Sequence, residues 1–124
     1  MTLKELIEEL GGDYEDVFER LVFEESIERF LKSFLTDETF YNMIESLKSN
    51  SFEQAFYYAH TLKGLSRTLG FFGLYVSSGQ IAEGIRSNLF VDNDLLIDFM
   101  HNSETEYAKV IDEIEKYFAF KQNN

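Results

Sequence analysis

The sequence predicts an all-α protein, an up-and-down antiparallel four-helix bundle preceded by a short N-terminal helix. Three observations point there. None of the 124 residues is proline, the residue that most often stops or kinks a helix. Apolar residues recur at three- and four-residue spacings, and no period-two alternation is long enough to read as a strand. The breaks between these stretches are short, which makes consecutive helices antiparallel neighbours.

Thr2 to Leu10 reads as the short first helix, with Leu3, Leu6, Ile7 and Leu10 on one face and Gly11-Gly12 ending it. Asp13 is placed to cap a longer helix running to about Leu35, with an apolar stripe of Phe23, Ile27, Phe30, Leu31 and Phe34. Thr36-Asp37-Glu38 is the next start signal, before Phe40, Met43, Ile44 and Leu47; Lys48-Ser49-Asn50 is a polar break. Ser51-Phe52-Glu53-Gln54 has the form of a capping box and opens a helix to about Leu69. Gly70 and Gly73 mark the turn into a helix from Leu74 to Ser87, and Asn88 and Asp92 to Asp94 flank one more boundary. The last helix carries Leu96, Phe99, Ser103, Tyr107, Val110, Ile114 and Tyr117 inward, before a frayed tail of Lys121-Gln122-Asn123-Asn124. One domain over residues 1–124 accounts for all of it, with residues 1–12 as helix and turn.

Composition narrows the function. A net charge of −12 repels phosphate backbones and anionic membranes, so neither nucleic acid nor membrane is an expected partner. The chain has no cysteine, hence no disulfide, thiolate metal site or thiol nucleophile. No stretch has the apolar length of a signal peptide or membrane span, which makes the cytoplasm the expected location. The starting methionine and the bundle-sized length favour a stand-alone protein.

The chemistry lies in residues 51–69. On a wheel at ~100° per residue, Tyr58, Leu62, Leu65 and Leu69 form the buried stripe, with Ala55 beside them. His60 lies nearly opposite, and Glu53, Phe56, Tyr57, Lys63, Gly64 and Arg67 share its outward side. Gly64, one turn beyond His60, occupies a mid-helix position where glycine costs about 1 kcal/mol relative to alanine. Its missing side chain clears an approach to the imidazole. Lys63 places an ammonium about one turn away; Phe56 and Tyr57, on the other side, form either an apolar docking patch or a surface covered by an adjacent helix. No carboxylate or second histidine stands four residues from His60, so a metal site is not expected. His101, beside Met100, is an incidental surface residue. Gly11-Gly12 and Gly70-x-x-Gly73 have neither the spacing nor the lysine of a phosphate-binding loop.

Ala59-His60-Thr61-Leu62-Lys63-Gly64-Leu65-Ser66-Arg67-Thr68-Leu69-Gly70 resembles the signature helix of histidine-containing phosphotransfer (HPt) domains. That pattern is His-x-Leu-Lys-Gly, a small residue, then Leu-Gly at the helix end. The similarity continues through Leu74, Ile81 and Glu83, and Gly11-Gly12-Asp13 is also common in the family. Leu65 departs from the usual small residue, and Ala82 stands where many members have a glutamine facing the histidine; Gln80 is near but on another face.

The resemblance implies an HPt-like bundle with its site on the hairpin of residues 51–87. It implies that His60 accepts a phosphoryl group from the aspartate of a response-regulator receiver domain and passes it to another receiver. Lys63 would offset charge on the phosphoryl oxygens. Arg86, where some members have a basic residue, would return to within about a turn of His60 and join Lys63 and Arg67 in a positive cluster. Gly64, Arg67, Arg86, Phe56 and Tyr57 would serve docking. Such a protein is a phosphocarrier without kinase activity or cofactor of its own; Mg²⁺ belongs to the receiver. The implied partners are receiver domains and a hybrid sensor kinase, with the carrier working as a monomer. The alternative is a docking module that binds a receiver through the same face and never carries phosphate.

Overall fold

The computed structural model describes residues 1–122, and its regular structure is helical throughout. The elements are α1 (Leu3–Glu9), α2 (Tyr14–Leu21), α3 (Glu24–Thr36), α4 (Thr39–Lys48), α5 (Phe52–Leu69), α6 (Phe72–Arg86) and α7 (Asn93–Gln122). A single 3₁₀ turn, Leu89–Val91, precedes α7. Helix α5 packs mainly between α4 and α6, and α7 lies against α6. No helix among the described residues is long and apolar enough to cross a membrane.

One contiguous core joins these helices. Leu3, Leu6, Ile7 and Leu10 of the first segment are all buried in it, as their spacing predicts. The inner face of α6 is lined by Leu74, Ser77, Ser78, Ile81, Ala82 and Gly84, and that of α5 by Ala55, Ala59, Leu62, Ser66 and Leu69. Small residues at these positions bring the two backbones close. The buried line on α5 is therefore rotated from the expected one, and Tyr58 and Leu65 are only half-buried. Helix α5 is covered on two sides, and alanine and serine occupy the places of closest approach.

The long helix expected from Asp13 to Leu35 is two helices. Asp13 does cap the first, its Oδ1 accepting from the Glu15 and Asp16 amides at 3.0 and 3.4 Å. The chain then breaks at Val22, whose φ is +70° and which is spanned by a Phe23 N–H to Leu21 carbonyl bond of 2.8 Å. Register explains the break. In one straight helix, Ile27 would point ~80° around from Val17, at ~100° per residue. The break lets Val17 pack on Gly70 while Ile27, Leu31 and Phe34 enter the core. Phe23 and Phe30, expected in the stripe, are exposed instead.

Other boundaries also moved. Ser51 stands at the start of α5, yet its side chain makes no capping bond. Its amide instead bonds the Ser46 carbonyl at 2.8 Å while Asn50 (φ +55°) bonds Leu47, so Ser51 closes the C-terminal turn of α4. The capping box that forms is Thr2-Leu3-Lys4-Glu5, with both reciprocal bonds present. Gly73 lies inside the first turn of α6, where a side chain would overlap Glu106 of α7. Lys121 and Gln122, expected to fray, complete α7; Asn123 and Asn124 lie outside the described residues.

Gly70 ends α5 with φ +80°, in the left-handed region that glycine adopts without strain. A side chain on Gly12 would overlap the Gly70 carbonyl, and the Phe72 amide bonds the Leu10 carbonyl at 3.1 Å. The first turn of the chain is thereby locked onto the α5–α6 turn. Arg20 adds to this by donating to the Arg67 and Thr68 carbonyls at 2.9 and 3.3 Å, capping the end of α5.

Candidate functional site: the His60 face of the α5–α6 hairpin

Helix α5 presents His60 to solvent, one residue after the fully buried Ala59 and two before the fully buried Leu62. The imidazole stacks near-parallel with Phe56, one turn earlier, with centroids 6.2 Å apart and 12° between planes. Among the described residues no side chain or carbonyl hydrogen-bonds its ring nitrogens. Phe56 is half-buried against the core, so it supports the imidazole from one side and does not project as a free docking residue. Tyr57 is the exposed member of the pair, at 66%.

Gly64 is exposed, and a Cβ built on it meets nothing within 4 Å. The fold therefore does not require glycine here. Alanine would fit and would favour the helix by about 1 kcal/mol. Space next to His60 is left open to something outside the chain.

Lys63 is half-buried in the crease between α5 and α6. A Cβ on Gly79 would lie 3.4 Å from Lys63 Cε and 3.5 Å from Cδ, so the lysine stem runs along the Gly79 backbone. Its ammonium sits over the Tyr75 ring, 5.4 Å from the centroid. Because the Gly70-Phe71 turn sends α6 back along α5, Lys63 is level with Gly79 and His60 with about residue 82. Ala82 there is buried and carries no group to bond the imidazole.

Arg86 lies about one turn beyond that level, ~6 Å of helix rise. It is exposed and sits 3.6 Å from Glu83 Oε2, a surface pair of little energetic weight. Arg67 is two turns beyond His60 and lines a cleft of about 300 Å³ with Gly12, Asp16, Phe72 and Tyr75. The face thus gathers His60, Phe56, Gly64 and Lys63, while Arg67 and Arg86 stand at its two ends. His101 is exposed on α7. Tyr75 and Gly79 are site residues that the sequence reading missed. Gly79 is a second mid-helix glycine, the same signal that singled out Gly64.

Searches against protein-family models, curated proteins and solved structures each return no match.

Proposed function

We propose that the chain is a histidine phosphocarrier of the HPt type, with His60 as the phosphoryl acceptor. The observation that carries this reading is an exposed imidazole without a hydrogen-bond partner among the described residues, beside a glycine whose missing side chain the fold does not use. The HPt-like signature in residues 59–70 and the bundle of α4 to α7 around the α5–α6 hairpin support it.

The reaction requires little of this protein. An unprotonated ring nitrogen of His60 attacks the phosphorus of an aspartyl phosphate in line. The N–P bond forms, the P–O bond to the receiver breaks, and its electron pair returns to the aspartate carboxylate. The other ring nitrogen keeps its proton or releases it to water. Exposure of His60 and the gap at Gly64 allow the receiver's acidic pocket, with its Mg²⁺, to close over the imidazole. Phe56 limits the ring's orientations, and Lys63 supplies positive charge for the transferred oxygens. Reversal onto a second receiver restores the starting protein. The partners are receiver domains and a hybrid sensor kinase, in the cytoplasm, with the carrier acting as a monomer.

Mixing the protein with a receiver carrying labelled phosphate tests this. The expected result is acid-labile, base-stable label on the wild type and none on His60→Gln. Label persisting on His60→Gln removes the proposal. Receiver binding without label on the wild type replaces it with a docking module.

A further inference from the structure

Lys63 is the first cation beyond His60 on α5. Gly79 is level with Lys63, so Tyr75, one turn earlier on α6, is level with the turn of α5 beyond Lys63. The shared cleft of Tyr75 and Arg67 agrees with that register. Nζ lies over the Tyr75 ring, 5.4 Å from its centroid. Among the described residues Lys63 forms no ion pair, in a protein where Asp and Glu outnumber Lys and Arg by 23 to 11. A ring face attracts a cation but offers no acceptor oxygen, so the ammonium donors stay available.

We infer that Tyr75 is the resting berth of Lys63: the ring holds the ammonium while His60 is unmodified, and the lysine moves to the phosphoryl oxygens once His60 carries them. This rests on the carrier reading of His60. The phosphoryl group wins the exchange because a charge-assisted hydrogen bond to its oxygens is stronger than a cation–π contact at a partly solvated site. The berth opposes that exchange by the strength of the ring contact. It also holds the lysine within the crease, clear of the many carboxylates. Tyr75 is a positioning residue, acting on the reaction only through Lys63. Removing its ring should favour the phosphorylated protein about two- to fivefold at exchange equilibrium, the equivalent of ~0.5–1 kcal/mol.

Two measurements on the full chain test it. In the unmodified protein, the Lys63 ε-methylene protons should show an upfield ring-current shift by NMR, lost in Tyr75→Leu and kept in Tyr75→Phe. On phosphoryl exchange with a receiver domain loaded from acetyl phosphate, those resonances should leave their ring-shifted position. The ratio of phosphorylated protein to phosphorylated receiver should rise two- to fivefold in Tyr75→Leu and stay at the wild-type value in Tyr75→Phe. In a Lys63→Ala background Tyr75→Leu should have no effect. Label on His60 with unmoved Lys63 resonances overturns the berth and leaves the carrier intact. So does an equal effect of Tyr75→Leu with and without Lys63. Absence of label on His60 in every background overturns the carrier reading, and the release of Lys63 falls with it.

Discussion

Two places in this molecule combine a lysine, a tyrosine and a third titratable group, and they are built in opposite ways. At the seam between α3 and α7, Glu28 Oε2 accepts the Tyr117 hydroxyl proton at 2.7 Å and the Lys121 ammonium. Tyr117 is buried and the Glu28 side chain is only 17% exposed. On the α5–α6 face, the Lys63 ammonium lies over the Tyr75 ring without an ion pair, and His60 stacks on the Phe56 ring without a hydrogen bond, among the described residues. The seam satisfies its donors and acceptors internally. The His60 face leaves them open. Polar groups closed on one another hold a fold together, whereas polar groups held in place but unbonded are available to a ligand or partner.

Substitutions should therefore divide by place. At the seam, Tyr117→Phe removes a hydrogen bond to a charged group and should destabilise the protein by about 1–2 kcal/mol in urea unfolding. Retention of full stability would mean that the seam is not closed as described. The same cluster sets a pH response. Burial pushes the Glu28 carboxyl up, but hydrogen bonds from Lys121 and Tyr117 and the charges of Lys121 and Lys32 outweigh it and leave it below the ordinary value. A lowered carboxylate stabilises the fold above the unfolded pKa, and that contribution is lost as pH falls through the lower folded value. Burial, and the hydrogen bond and charge of Glu28, raise the Tyr117 hydroxyl. Its contribution is present below the unfolded value, ~10, and is lost as pH rises beyond it. Thermal melts of wild type and Glu28→Gln should differ most between about pH 5 and 9 and converge as pH falls through the lowered folded value of Glu28. A constant difference down to acid pH would contradict the linkage.

On the open face the sign reverses. Gly64→Ala should stabilise the protein by up to about 1 kcal/mol, since the new methyl group meets nothing, while slowing phosphoryl uptake from a receiver. If Gly64→Ala leaves uptake at the wild-type rate, the gap is not an approach route. The smallest effect belongs to Arg86→Ala. An exposed pair with Glu83 contributes roughly 0–1 kcal/mol, and uptake should change by less than about threefold. A larger loss would show that Arg86 leaves Glu83 for the phosphoryl group.

Much of the helical pattern was legible because burial repeats at helical spacing along one chain. His60 could be placed opposite the core from α5 alone. What depends on a neighbouring helix could not be read that way. Val22 has no glycine or proline to announce a break, and the break exists because Val17 and Ile27 answer to different partners. Ser51 has the letters of a capping box, but the turn that closes α4 takes its backbone. Lys63 sits at the right distance along α5 to serve His60, while its resting position is decided by Gly79 and Tyr75 across the crease. Arg67 and Arg86 share charge but not place, one lining the cleft beside Gly12 and the other beside Glu83.

The most direct test is phosphorus NMR of the protein after incubation with a phosphorylated receiver, read alongside binding. The wild type should show a phosphorus–nitrogen resonance, absent from His60→Gln, with both proteins binding the receiver and melting at the same temperature. A wild type that binds the receiver and shows no such resonance would contradict it.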